Sequence, residues 1–347
     1  MRIIIDVMSG DNAPLELIRG AAMAAEDCAA DIVIVGDEQI IKEVAEAEEI
    51  SLEKLTVVHA DSVIVMEDKP LCVVRDKKDS SMSIGLKMLA DGEGDAFVSA
   101  GNTGALLAGA TLIVRRIKGV QRAAIATVLP FPTPMLLMDS GANLTVTPEN
   151  LEQFAYMGSI YMSKIYGISS PRVGQLNNGT EANKGLPLQV DTYERLSLRE
   201  DLNFVGNIES REIPFGACDV LVTDGFTGNI TLKLTEGMAK FMGSTLKALF
   251  HSSVVSKLSG LAMMKKIKDL KKQFDASEHG GAPLLGIAKP VIKAHGSSDA
   301  KAVKNAVVQA ISFINTGINQ EIARFSVQFD ERAKAERDAA AAKSEEN

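Results

Sequence analysis

Hydrophobic and polar positions follow two periods in turn along most of this chain. Short runs rich in β-branched residues predict strands over Arg2–Val7, Asp31–Val35, Leu55–His59, Ala96–Ser99, Ala123–Leu129, Met135–Asp139, Arg172–Leu176, Asn203–Gly206 and Val220–Thr223. Between them the helical period predicts helices that include Leu15–Glu26, Ser83–Asp91, Thr103–Arg116, Glu149–Ile165, Thr227–Phe250 and Ser298–Arg324. Strands alternating with helices argue for a largely parallel α/β sheet covered by helices on both faces. In such sheets ligands sit at the carboxyl ends of strands, where loops lead into helix starts.

Two stretches depart from this alternation. Between Val254 and Phe274, Val254, Leu258, Leu261 and Ala262 share one helical face, whereas Met263, Ile267, Leu270 and Phe274 share nearly the opposite one. One straight helix cannot bury both stripes on one surface, so a break near Gly260–Met263 and a helical hairpin over about residues 252–276 are expected. Lys257, Lys265, Lys266, Lys268, Lys271 and Lys272 surround the stripes with only Asp269 against them. Periodicity alone leaves two readings open: a docking element for an acidic partner or anionic lipid, or a solvated hairpin packed on its own core. Residues 326–347 form a charged, alanine-rich tail with a disordered or frayed-helix composition, and residues 1–325 are expected to form a single catalytic domain.

Composition narrows the function classes. The chain of 347 residues is 46% hydrophobic and 24% charged, with a net charge of -8, which argues against nucleic acid as a partner. Cys28, Cys72 and Cys218 form no CxxC pair and are expected as reduced thiols of a cytoplasmic protein. The acidic Asp6 in the opening strand argues against a signal peptide or anchor there. Among His59, His251, His279 and His295 there is no ligand spacing, so no metal is expected.

The chemistry concentrates in glycine-bearing loops. SAGNTGA follows the strand at Ala96–Ser99; Gly101 and Gly104 allow close backbone approach, and the helix start near Thr103 offers unpaired N–H groups. This predicts an anion cradle, although a strand-to-helix turn that merely needs glycine fits equally well. In RDKKDSSMS, Lys77, Ser80 and Ser81 bring a cation and hydroxyls to another helix start, as phosphate recognition or an ordinary cap would. TDGFTGN, with Asp224, Gly225, Thr227 and Asn229, repeats the strand–glycine–helix arrangement. KAHGSS adds Lys293, His295, Ser297 and Ser298 before the last long helical pattern. None of these matches GxxxxGK[ST] or GxGxxG, so no nucleotide cofactor is predicted, and no GxSxG elbow supplies a serine nucleophile.

Taken in order, the motifs resemble the PlsX family of phosphate acyltransferases over roughly Met1–Arg324. IDVMSGDNAP is similar to that family's opening D-x-M-G-G-D-x-A-P, carried by Asp6, Met8, Gly10, Asp11, Ala13 and Pro14, with Ser9 in place of the first glycine. RDKKDSSM, SAGNTGA, RIKG, DSGAN, FAYMGS, PRVG, TDGFTGN, GGAPLLG and HGSS follow in the family's order. Asn178, Ser210 and His279 are further departures from it. The resemblance implies a Rossmann-like fold akin to phosphate acetyltransferases and isocitrate dehydrogenases, with a protruding helical hairpin. It implies acyl transfer from acyl carrier protein to inorganic phosphate for phospholipid synthesis, without a cofactor, by a homodimer attached peripherally to the inner face of an anionic membrane. Leu258, Leu261 and Ala262 become the expected membrane tip, with Lys257, Lys265 and Lys266 attracting headgroups or carrier protein.

These loops suit direct attack by phosphate on the thioester, since a thiolate with pKa near ~8.5 leaves readily. Asn102, Thr103 and Gly104 are the expected cradle, with Gly101, Lys77, Ser80 and Ser81, and with Asp6, Gly10 and Asp11 from the opening motif. Asp224, Gly225, Thr227 and Asn229 are expected as a second wall. Lys293 and His295, flanked by Ser297 and Ser298, are available to the oxyanion or a proton. Asn102, Asp224, Lys293 and His295 are the catalytic candidates. Two rival readings are a metal-assisted NAD dehydrogenase of the related fold and a non-enzymatic scaffold that binds acyl carrier protein and membrane.

Overall fold

The computed structural model describes residues 1–253, 255, 256, 259, 263–267 and 280–345. Contacts within the chain divide it into two compact units. Unit 1 comprises Met1–Ala123, Ile160–Ile168 and Pro283–Asn347, and unit 2 comprises Ala124–Ser159 and Ser169–Ala282.

Unit 1 is built on β1 (Arg2–Asp6), β2 (Asp31–Gly36), β3 (Leu55–His59), β4 (Ala96–Ser99), β10 (Ala282–Leu285) and β11 (Val291–Lys293). Their order is β3-β2-β1-β4-β11-β10. The pairings of β1, β2, β3, β4 and β11 are parallel, as the alternation of strands with helices predicts. Helices α1 (Leu15–Asp27), α2 (Glu38–Ala47), α3 (Ser81–Asp91), α4 (Thr103–Gly109), α8 (Ala300–Asn315) and α9 (Ile318–Glu345) belong to this unit. Ile3, Ile5, Val7, Ile34 and Val98 join Leu17, Ile18, Val303 and Val307 in its main core. The predicted final helix is two helices. Gly317, at φ +67, takes the left-handed turn that ends α8 before α9 begins, a conformation that costs glycine least. α9 continues through the tail to Glu345, because Ala, Glu, Lys and Arg are strong helix formers.

Unit 2 carries β5 (Ala124–Leu129), β6 (Met135–Met138), β7 (Val173–Asn177), β8 (Phe204–Glu209) and β9 (Val220–Val222), in the order β5-β6-β9-β7-β8. Only β5–β6 among these is antiparallel, joined through a short proline-bearing turn. Its helices are most of α5 (Pro148–Tyr166), α6 (Pro187–Ser197) and α7 (Gly225–His251). Of the expected hairpin, Val254, Lys257, Leu258, Gly260, Leu261, Ala262 and residues 268–279 lie outside the described residues. Lys265 and Lys266 are described and exposed. No helix among the described residues is long and apolar enough to cross a membrane.

One ion-pair cluster fastens α5 to α6. Glu152, wholly buried, accepts from Arg195 at 2.8 Å and Arg199 at 2.5 Å. Removing one side of a buried pair leaves the other charge uncompensated, which is costlier than the pair itself is stabilising. Glu152→Ala is therefore expected to lose roughly 3 kcal/mol in urea unfolding; a loss below roughly 1 kcal/mol, the range of exposed pairs, would show the clasp to be superficial.

Candidate functional site

In unit 1, β1, β4 and β11 end in one row, with Asp6 and Lys293 both in register with Ser99. The loops that leave this row carry most of the predicted site residues. Asp6 is wholly buried at its centre. Its carboxylate accepts from Ser81 Oγ at 2.6 Å, Ser99 Oγ at 2.8 Å and the Met8 N–H at 3.2 Å. Ser99 Oγ in turn accepts from the Gly101 N–H at 3.1 Å, which anchors the SAGNTGA loop to the opening motif. Lys293 Nζ donates to the Ala100 and Ala294 carbonyls at 2.8 and 2.5 Å.

The loop before α8 meets the loop after β1. The Asp11 N–H donates to the Gly296 carbonyl at 2.8 Å, and Asn12 Nδ2 donates to the Ser297 and Ser298 carbonyls at 3.1 and 3.2 Å. His295 Nδ1 receives the Ser297 N–H at 3.2 Å and lies 2.9 Å from Ser297 Oγ. Because a backbone N–H only donates, Nδ1 is the acceptor and the neutral ring carries its proton on Nε2.

The structure changes the part played by several candidates. Asn102 caps α4: its Oδ1 accepts from the Ala105 N–H at 3.1 Å. Its Nδ2 is surrounded by the carbonyls of Val65, Met66 and Asp68 at 3.2, 3.0 and 3.0 Å. Both ends of the amide are occupied, so Asn102 positions the loop instead of facing a ligand. Lys77 Nζ is likewise committed, to Asp68 at 2.6 Å and the Val63 carbonyl at 2.8 Å. That ion pair leads the causes that hold the Asp68 carboxyl below its ordinary range, followed by the Val65 N–H. Ser80 caps α3 and donates to the Lys77 carbonyl, and Ser81 is spent on Asp6. Burial and capping, which use the same side chains as anion recognition, account for these reassignments. The Thr103 and Gly104 N–H groups, in the first turn of α4, have no protein partner among the described residues. They remain available to an anion.

The TDGFTGN loop lies in unit 2. Asp224 caps α7, accepting from the Thr227 N–H at 2.9 Å and Thr227 Oγ1 at 2.7 Å. The Gly225 N–H donates to the Asn143 carbonyl at 2.7 Å, so the first turn of α7 has its donors largely paired within the protein. A Cβ on Gly228 would fall 1.8 Å from the Asp139 carbonyl oxygen, which shows how closely this helix start approaches the DSGAN loop. Asn229 is exposed and lies against Gly141.

Residues not singled out from the sequence organise both clusters. Asp68 has no motif to mark it. Asp139 and Asn143 stand inside DSGAN, where the acid before a glycine turn was the available signal. Asp139 accepts from the N–H groups of Ile125, Gly141, Ala142 and Asn143 and from Asn143 Nδ2, at 2.7 to 3.1 Å. Burial raises its pKa and these donors pull against that rise. Every contact is an N–H donor, so the ionised form is the one this loop solvates. The cysteines are poor nucleophiles: burial pushes the Cys218 thiol up to about 12 and also raises Cys72.

The Asn102 tether gives a direct test. Asn102→Ala removes a cap and three carbonyl contacts, so a loss of roughly 2 kcal/mol in unfolding and faster amide exchange at residues 65–68 are expected. Unchanged exchange there would show that the loop stands without it.

The family model described as fatty acid synthesis protein matches residues 1–321. A phosphate acyltransferase of Clostridioides difficile (strain 630) is 43% identical over 340 residues, covering 97% of this chain and 100% of its own. One from Caldicellulosiruptor bescii is 46% identical over 320 residues, covering 92% and 96%. Among solved structures, a phosphotransacetylase from Streptococcus pyogenes superposes with TM-score 0.59 at 18% identity, covering 90% of this chain and 94% of its own. A branched-chain phosphotransacylase from Enterococcus faecalis V583 gives TM-score 0.55 at 12% identity, covering 90% and 99%. These last two establish the Rossmann-like α/β fold alone. With near-full-length matches above 40% identity behind the ordered motifs, the chain belongs to the PlsX family of phosphate acyltransferases, the fatty acid synthesis protein family, and is an acyltransferase.

Proposed function

We propose that this acyltransferase moves a fatty acyl group from the thioester of acyl carrier protein to inorganic phosphate, supplying acyl phosphate for phosphatidic acid and phospholipid synthesis. The observation that carries the reading is the loop cluster at the ends of β1, β4 and β11. There the Thr103 and Gly104 amides have no protein partner among the described residues, and Lys293 Nζ reaches the Ala100 carbonyl at the start of the same loop. The relatives' name, phosphate acyltransferase, supports phosphate as acceptor.

A phosphate oxygen attacks the thioester carbon, the C–O bond forms, and the tetrahedral oxyanion collapses with cleavage of the C–S bond. The thiolate leaves and takes a proton from solvent. No acyl-enzyme is required, and the raised thiol pKa values of Cys72 and Cys218 agree with that. The protein's work is to place the anion and offset the oxyanion's charge. Phosphate is expected to drive release of free carrier thiol with equal formation of acyl phosphate, read by thiol titration and mass spectrometry. Thiol release independent of phosphate, or a stable acyl-protein adduct, would overturn the scheme.

Association is part of the same proposal. Helix α7 exposes Phe226, Ile230, Leu234, Met238, Phe241 and Leu249 at helical spacing, a stripe that a second copy in a homodimer would cover. Lys265 and Lys266 suit peripheral contact with an anionic membrane from the cytoplasmic side, or with the acidic carrier protein. Leu234→Glu with Phe241→Glu is expected to sediment as monomer, and Lys265→Glu with Lys266→Glu to weaken flotation with anionic vesicles. Unchanged mass and unchanged flotation would remove the respective contact.

A further inference from the structure

Ser9 Oγ and Ser298 Oγ are buried and have no hydrogen-bond partner among the described residues. Ser9 is 2% exposed and Ser298 4%. A buried hydroxyl that makes no hydrogen bond is costly, because it has given up water and received nothing in return. Both belong to loops bound to each other: the Asp11 N–H reaches the Gly296 carbonyl, and Asn12 Nδ2 reaches the Ser297 and Ser298 carbonyls. Two unpaired hydroxyls in such loops, at the carboxyl edge of a parallel sheet, fit an incomplete oxyanion site better than two independent packing faults.

The packing around Ser9 points the same way. A Cβ placed on Gly101 would lie 2.6 Å from Ser9 Cβ and 3.1 Å from Ser9 Oγ. The Ser9 side chain therefore occupies the space that glycine leaves at the root of the SAGNTGA loop, three residues before Gly104. Gly10, at φ +130, turns the chain immediately after Ser9, and its own Cβ position is 3.2 Å from the Gly296 carbonyl. A side chain there would press on the Gly296 carbonyl and hold a φ that L residues rarely adopt, so glycine eases the approach of the two hydroxyl-bearing loops.

We propose that Ser9 is a phosphate-binding residue: its hydroxyl turns about the Cα–Cβ bond from its sealed position to donate to an oxygen of the bound anion, alongside the hydroxyl of Ser298. Rotation between staggered wells is a small change, and the ligand oxygen supplies the acceptor that the protein lacks. The inference rests on the phosphate-acceptor reading above and adds to it a contact made by a residue that stands where the family pattern carries glycine.

The test uses the full chain with acyl carrier protein thioester, titrating inorganic phosphate, for wild type, Ser9→Ala and Ser9→Gly. Loss of one hydrogen bond to a charged ligand is expected to raise the KM for phosphate about tenfold in both variants. The KM for the thioester should move less than about twofold. Without phosphate, Ser9→Ala should melt no lower than wild type, because it removes an unpaired buried hydroxyl; its rise in Tm on adding phosphate should be smaller. An unchanged phosphate KM in Ser9→Ala overturns the proposal. So does a rise confined to Ser9→Gly, which would assign the effect to backbone freedom. A flat phosphate titration in wild type itself would overturn the underlying reading and this inference together, and is distinguished by appearing before any substitution is made.

Discussion

A wholly buried carboxylate, that of Asp6, is the constraint on which the arrangement of unit 1 depends. Taking a carboxylate out of water costs several kcal/mol unless its lone pairs are met. Here they are met by hydroxyls from two other elements, Ser81 at the start of α3 and Ser99 at the end of β4. Ser99 passes the constraint on to the Gly101 N–H. The relative position of the loops after β1 and β4 is thus set by a buried carboxylate that draws its hydroxyl donors from α3 and β4, and the amides of Thr103 and Gly104 are presented by a scaffold already fixed.

A second organising centre, Asp139 in unit 2, uses the same physics with a different donor set. Five N–H contacts surround it, and the tight approach of α7 at Gly228 follows from the loop it shapes. Each unit therefore carries a buried acid that holds a glycine-bearing loop in shape. In unit 1 the Thr103 and Gly104 amides at the helix start have no partner among the described residues; in unit 2 the Gly225 and Thr227 amides of α7 are paired to Asn143 and Asp224.

The elements themselves were largely legible. Strands such as Leu55–His59 and Ala96–Ser99 have the predicted bounds, because short runs rich in β-branched and aromatic residues between turn residues favour the extended chain. β10 and β11 were missed: APLL and VIK are short, are flanked by glycine or proline, and acquire their register only from the rest of unit 1. Helix α6 carries no strong apolar stripe, burying only Thr192 and Leu196, so the helical period does not mark it. The division into two units was hidden as well, because the chain returns to unit 1 both within α5 and after Ala282.

The sequence by itself determined the alternation of strands and helices, the ordered motifs and hence the family, since these depend on local periodicity and residue type. Only the tertiary structure decided which polar atoms are spent within the protein. Asn102, Lys77, Ser80 and Asp224 have the chemistry of ligand-binding groups, yet their atoms are engaged as caps and tethers. For Asn102 the partner is as far as 36 or 37 residues away in the chain, and for the Ser99 contact to Asp6 it is 93. A hydrogen bond is satisfied by whatever the fold brings within about 3 Å, and no local pattern records what that will be.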